Sequence, residues 1–220
     1  MPGRPPAAAG RSDALQVRRA ILVGHSFGGG PTVEAALLAP ERVRALVLVD
    51  AALRIRPDGV PARPAPGAVR ALLAVTPIRD GVVATFLTNP SFTRRLLAGF
   101  VADPAAATAE RVAVYQKPLV IRGSTHAIGE WLPELLAPPA AAVSEDPAAY
   151  RGLTMPLTAI WGALDTVTPL AQGERLVRLV PHATLAVLAQ AGHIPQIESP
   201  REFAELLRET VQALHRAAEP

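Results

Sequence analysis

Two stretches of the chain alternate short, uninterrupted apolar runs with amphipathic ones, and the stretch between them does not. Ala20-Ile21-Leu22-Val23 is an apolar run closed by Gly24, and Ala45-Leu46-Val47-Leu48-Val49 is a second, closed by Asp50. Short runs that are apolar at every position predict strands buried on both faces of a sheet. Residues 29–38 read as a helix between them, stopped by Ala39-Pro40. Two such strands joined by a helix make a right-handed parallel unit. The end of the chain repeats the pattern, with a strand over 157–161, a helix over 171–180 halted before Pro181, and a strand over 184–188. Ser199, Pro200 and Glu202 then open a final helix as a capping box with proline at the first helical position. Phe203, Leu206, Leu207, Val211 and Leu214 share one face of it.

Between Arg54 and Tyr150 the strand patterns vanish. Helical signals cover 68–75, 91–101, 103–115 and 127–136, with Asp103-Pro104 as a cap and Leu136-Ala137-Pro138-Pro139 as a break. A long helical block interrupting a parallel-sheet chain reads as a lid over the sheet's active edge, in preference to a plain surface excursion. The expected organisation is a disordered Pro/Ala/Gly-rich start (1–13), an α/β core (14–53 and 151–220) and a helical cap (54–150). No internal repeat is visible.

Half of the 220 residues are hydrophobic and 19% are charged, enough for a buried core and too apolar for a disordered chain. No apolar run approaches the roughly 18 residues of a membrane span. The absence of cysteine excludes disulfides, thiol catalysis and cysteine-bound metal. The first residues lack the apolar segment of a signal peptide, so a cytoplasmic location is expected. A sequence pI near 10.1 invites nucleic acid as a partner. However, 22 basic residues face 19 acidic ones for a net charge of +3. Arginines are scattered, with only the short pairs Arg18-Arg19 and Arg94-Arg95. An electrostatic footprint for a polyanion needs clustering on one face, so nucleic-acid binding is not expected.

Gly24-His25-Ser26-Phe27-Gly28 fits G-x-S-x-G directly after a predicted strand and directly before a predicted helix. So tight a turn forces the serine into a strained conformation, and side chains two residues to either side are expected to collide unless they are glycine. The turn lifts the hydroxyl into the cleft at the sheet's carboxyl edge and aims a helix N-terminus there. A phosphate loop is the alternative. A Walker loop needs Gly-Lys, and no such pair exists; a dinucleotide loop needs glycine where Ser26 stands.

A serine nucleophile requires a base, and the base an orienting carboxylate. Three stretches at the ends of predicted strands resemble the capped α/β-hydrolase fold family. They are Val23-Gly24-His25-Ser26-Phe27-Gly28-Gly29, Ile160-Trp161-Gly162-Ala163-Leu164-Asp165 with Pro169, and Ala191-Gly192-His193-Ile194-Pro195 with Glu198. They follow that family's order Ser, Asp, His. Asp165 is the expected acid, with Asp50 as runner-up and a turn aspartate as the bland alternative. His193 is favoured among five histidines. His25 sits inside the elbow, His126 in the cap, His182 ahead of a strand and His215 near the last helix end.

The resemblance implies a mostly parallel α/β-hydrolase sheet flanked by helices, with a helical cap insertion. It implies a serine hydrolase cleaving an ester or related acyl bond of a small, hydrophobic substrate. Ser26 would be the nucleophile, His193 the base, Asp165 its orienter and the Phe27 N–H an oxyanion donor. No metal or cofactor is implied. The partner expected is a small-molecule substrate, with neither nucleic acid nor membrane, and homo-oligomer formation is left open. Serine in the elbow argues against haloalkane dehalogenase and epoxide hydrolase activity, whose relatives use aspartate there. Carbon–carbon, lactone, peroxyacid and acyl-transfer chemistry stay open. Leu72, Leu73, Phe86, Leu96, Leu97, Phe100, Trp131 and Leu132 are apolar candidates for a pocket wall, with packing between cap helices as the blander role.

The family's core has about eight strands, with the nucleophile after the fifth. Only residues 1–23 precede the elbow, and no His-Gly pair lies upstream of Ser26 to supply a second oxyanion donor. Losing such a donor costs on the order of 10²–10³ in rate. The chain is therefore expected to be N-terminally truncated. An upstream true start is the first explanation, ahead of a real truncation or a partner chain that completes the sheet. The rival functional reading is an inactive homologue that binds a ligand or partner.

Overall fold

The computed structural model describes residues 16–57, 67–136 and 142–217. The expectations for residues 1–13 and for the break at 137–139 lie outside these. Compactness divides the chain into two units, Met1–Gly59 with Ala142–Pro220, and Val60–Ala141.

The first unit is built on a four-stranded, wholly parallel sheet in the order β1-β2-β3-β4. Its strands are β1 Ala20–His25, β2 Val43–Val49, β3 Leu157–Gly162 and β4 Thr184–Leu188. Helix α1 Gly29–Leu38 joins β1 to β2, and α7 Leu170–Leu179 joins β3 to β4. A one-turn helix α8, Pro195–Glu198, and the long α9, Pro200–Ala217, follow. Strand β2 shows why its sequence reads as a continuous apolar run. Leu46 and Leu48 pack on one face with Val33 and Ala36 of α1 and Leu176 of α7. Ala45, Val47 and Val49 pack on the other with Leu214, Phe203, Leu207 and Val211 of α9. Helices cover both faces, so alternate side chains are all buried.

Register places the site. Gly162 pairs with Leu188, so β3 and β4 end level, and Val49 pairs with Ile160 just short of the end of β3, so the loops after all three open on one edge. His25 pairs with Val49, bringing the end of β1 to that edge too. A ligand site beyond the carboxyl ends of parallel strands is the usual outcome of this geometry. Tyr150 and Leu153, in the 3₁₀ stretch Pro147–Gly152 and just beyond it, are buried in the same core as Trp161.

The second unit is a helical insertion. It holds α2 Gly67–Ala74, α3 Thr76–Val82 with a π-helical turn Val83–Leu87, α4 Pro90–Phe100, α5 Ala109–Gln116 and α6 Ser124–Leu136. Leu73, Val83 and Leu132 form its small core, with Leu87 and Ile128 packed against them. Of the apolar residues singled out from the sequence, Leu73, Leu97 and Leu132 are buried, while Leu72, Phe86, Phe100 and Trp131 are exposed. The helix expected over 103–115 is two pieces. Asp103 caps a separate 3₁₀ turn by accepting from Ala105 N–H, and the Thr108 hydroxyl restarts the chain by capping Arg111 N–H. Among the described residues no helix is long and apolar enough to cross a membrane.

Candidate active site

Ser26 stands between β1 and α1 with φ of 50°, in the left-handed region. A side chain there costs about 1–3 kcal/mol and persists only where its surroundings enforce it. The enforcement is visible. Ser26 C=O accepts from Ala52 N–H at 2.8 Å, locking the turn to the segment after β2. A 3₁₀ turn, Ser26–Gly28, then leads into α1, with Phe27 as its middle residue. The collision expected on both sides of the serine occurs on one. A Cβ on Gly24 would sit 2.6 Å from Thr32 Oγ1 and 2.9 Å from the Gly28 carbonyl. On Gly28 it would meet nothing within 4 Å, and that residue has ordinary helical angles, φ −64° and ψ −17°. The close contact lies one residue later, where a Cβ on Gly29 would run into Ala51.

Ser26, His193 and Asp165 are brought together. His193 Nε2 lies 2.7 Å from Ser26 Oγ, and Nδ1 lies 2.9 Å from Asp165 Oδ2. An ionised carboxylate only accepts, so Nδ1 carries the proton and Nε2 offers its lone pair to the serine O–H. His193 and Asp165 are buried. Burial opposes ionisation of Asp165, but hydrogen bonds from His193 and from the Thr168 hydroxyl and N–H outweigh it, leaving the carboxyl below its ordinary value. Val167 and Thr168 N–H donate to Oδ1 at 2.7 and 2.9 Å. The Thr168 hydroxyl lies 2.6 Å from Oδ2.

Three further residues hold this arrangement and were given no such part in the sequence reading. Thr168 is one. Glu198 is the second: its two carboxylate oxygens accept from Gly192 N–H at 3.0 Å and Ile194 N–H at 2.9 Å, clamping the loop on either side of His193. His25 is the third. Its Nε2–H donates to the His193 carbonyl at 2.8 Å, and burial lowers its pKa against the opposing pull of that bond. Asp50, the runner-up for the acid, does not take Nδ1; its Oδ1 accepts Gly162 N–H at 2.8 Å. The remaining histidines lie elsewhere. His126 faces Asp80 in the insertion, His182 meets the Met155 carbonyl and His215 meets Arg44. Gly162 was legible only as part of a motif, yet its place is forced, since a Cβ there would run into the Gly192 and Ala191 carbonyls.

A strained serine at a strand–helix turn thus meets a histidine and an aspartate from later loops, in a chain that a family model covers for most of its length. That model, the alpha/beta hydrolase fold, matches residues 12–200. The chain belongs to the α/β-hydrolase fold family. It is 32% identical over 202 residues to a 2-hydroxymuconate semialdehyde hydrolase of Pseudomonas sp. (strain CF600), covering 91% of this chain and 64% of that protein. A 3-oxoadipate enol-lactonase of Acinetobacter baylyi is 27% identical, with 87% and 63% covered. Among solved structures, a meta-cleavage product hydrolase from Pseudomonas fluorescens IP01 matches with a TM-score of 0.68 and 27% identity, covering 96% of this chain and 70% of that one. This α/β-hydrolase chain thus spans less than two thirds of the first two of these relatives.

Proposed function

We propose that this chain carries the catalytic core of a serine hydrolase that cleaves an ester or related acyl bond of a small, hydrophobic substrate. The observation that carries the proposal is the relay of 2.7 Å and 2.9 Å joining Ser26, His193 and Asp165. Ser26 Oγ attacks the substrate carbonyl while His193 Nε2 takes its proton. Asp165 keeps the imidazole in the correct tautomer and stabilises its charged form. The Phe27 N–H, in the 3₁₀ turn that leads into α1, donates to the developing oxyanion, helped by the positive end of that helix. Collapse of the tetrahedral intermediate expels the leaving group, which receives the proton from Nε2. Water then attacks the acyl-enzyme, giving its proton to Nε2, and the carboxylic acid departs as Ser26 Oγ is reprotonated.

The relatives' names guide the choice of substrates. 2-Hydroxymuconate semialdehyde and 3-oxoadipate enol-lactone belong beside short-chain aryl esters in one assay panel. Turnover of at least one member, lost by about 10⁶ in kcat in Ser26→Ala, is the expected result. Folded protein that binds members of the panel without turning them over contradicts the proposal and favours a ligand-binding role.

A further inference from the structure

Asp50 is fully buried and has no part in the chemistry just described. It ends β2 with φ of 41°, a conformation that no glycine relieves, and its N–H donates to Ile160 C=O at 3.0 Å. Its carbonyl lies 2.9 Å from the Thr168 hydroxyl, the same hydroxyl that reaches Asp165. Its Oδ1 takes the Gly162 N–H, but Oδ2 is buried and receives no hydrogen bond. The Asp165 carboxyl lies within hydrogen-bonding reach of the Asp50 carboxyl, and the Glu198 carboxylate adds negative charge from α8.

Two buried carboxyl groups in contact do not both ionise; one keeps a proton and gives it to the other as a hydrogen bond. Donor supply decides which. Asp165 is served by His193, the Thr168 hydroxyl and the N–H groups of Val167 and Thr168. Asp50's carboxyl is served by Gly162 N–H. We propose that Asp50 is held as a neutral carboxylic acid whose Oδ2–H donates to the Asp165 carboxylate, making it a positioning residue that fixes the orienting acid against His193. Burial raises its pKa to about 8, the Gly162 N–H opposing and the Asp165 charge reinforcing that rise. Proton loss there sets two anions side by side and adds a second negative charge near the His193 imidazole. The groups around it are Gly162 N–H from β3, Thr168 and Asp165 from the loop before α7, and Glu198 from α8, with His193 from the loop after β4 reached through the Thr168 hydroxyl.

The kinetic consequence rests on the hydrolase reading, whereas the protonation state does not, so the test has two arms. In difference infrared spectra recorded from pH 5 to 10, the wild type should show a protonated carboxyl C=O band. That band should titrate near pH 8 and be missing from Asp50→Asn. No such band at neutral pH, or one that survives in Asp50→Asn, overturns the proposal whether or not the protein turns over any substrate. In the kinetic arm, Asn mimics the neutral acid, with Nδ2–H donating to Asp165 and Oδ1 still accepting from Gly162. Asp50→Asn should therefore keep most of the wild-type kcat at pH 7 and lose the break near pH 8 in the rate profile. Asp50→Ala should cost about 10–100-fold. An Asp50→Asn variant that folds, as judged by thermal unfolding, yet loses as much rate as Asp50→Ala would show that the anion is what matters and overturn the proposal.

Discussion

His25 donates from Nε2 to the main-chain oxygen of His193 across 2.8 Å, so the residue beside the serine holds the backbone of the proposed base. The two rings lie 5.3 Å apart at an interplanar angle of 40°. This contact couples the loop after β4 to the turn after β1. His25→Ala removes the donor and should lower stability by about 1 kcal/mol, a Tm fall of roughly 2–4 °C. It should also lower kcat more than it changes KM, because the loop carrying the base loosens. Differential scanning calorimetry and steady-state kinetics check both effects.

Asp165 orients His193 through a bond to Nδ1, so its charge and its shape matter separately. Asp165→Asn preserves the shape and presents an N–H to Nδ1, favouring the wrong tautomer. The expected loss is about 10⁴ in kcat with little change in Tm. Thr168→Val removes the hydroxyl that reaches Asp165 Oδ2 at 2.6 Å and should cost about 10-fold. The same assay panel reads both variants.

The two glycines of the pentapeptide should respond in opposite ways. Gly24→Ala forces a Cβ against Thr32 and the Gly28 carbonyl and should destabilise by about 1–3 kcal/mol. Gly28→Ala meets open space with helical backbone angles and should stabilise by about 0.4–1 kcal/mol. Urea unfolding of the two variants measures the contrast.

Thermal unfolding should depend on pH in two windows of opposite sign. Asp50 has its pKa raised from 3.8 to about 8 on folding, so the folded state binds more protons and stability falls as pH climbs between those values. Asp165 is shifted down, so its contribution is present above its unfolded value of 3.8 and is lost as pH drops through its folded value. From pH 5 to 8 the wild-type Tm should therefore fall relative to that of Asp50→Asn. Parallel Tm curves for the two proteins would contradict this.

The sheet was legible from its apolar runs, such as those ending at Gly24 and Asp50. Burial on both faces holds for the central β2 and β3, whereas the outer β1 and β4 leave Val23 and Val187 exposed, contrary to the expectation for β1. The proposed site residues Ser26, Asp165 and His193 were legible because each follows such an apolar run. What escaped was whatever depends on register. Nothing in the order of residues relates Asp50 to Asp165; that relation exists because Val49 pairs with Ile160. Thr168 joins the nearby Asp165 to the distant Asp50, and His25 reaches the distant His193, and neither carries a local pattern. In the insertion, α3 and its π turn were missed because Pro77 and Gly81 break the helical reading, although Pro77 lies in the first turn, where a missing N–H costs nothing.

The most direct measurement is intact-mass and peptide mapping of the protein after exposure to a fluorophosphonate. A single adduct on Ser26, lost in Ser26→Ala and strongly slowed in His193→Ala, is predicted. A folded wild-type protein that takes no adduct, or takes it at another residue, would contradict the account of Ser26 as an activated nucleophile.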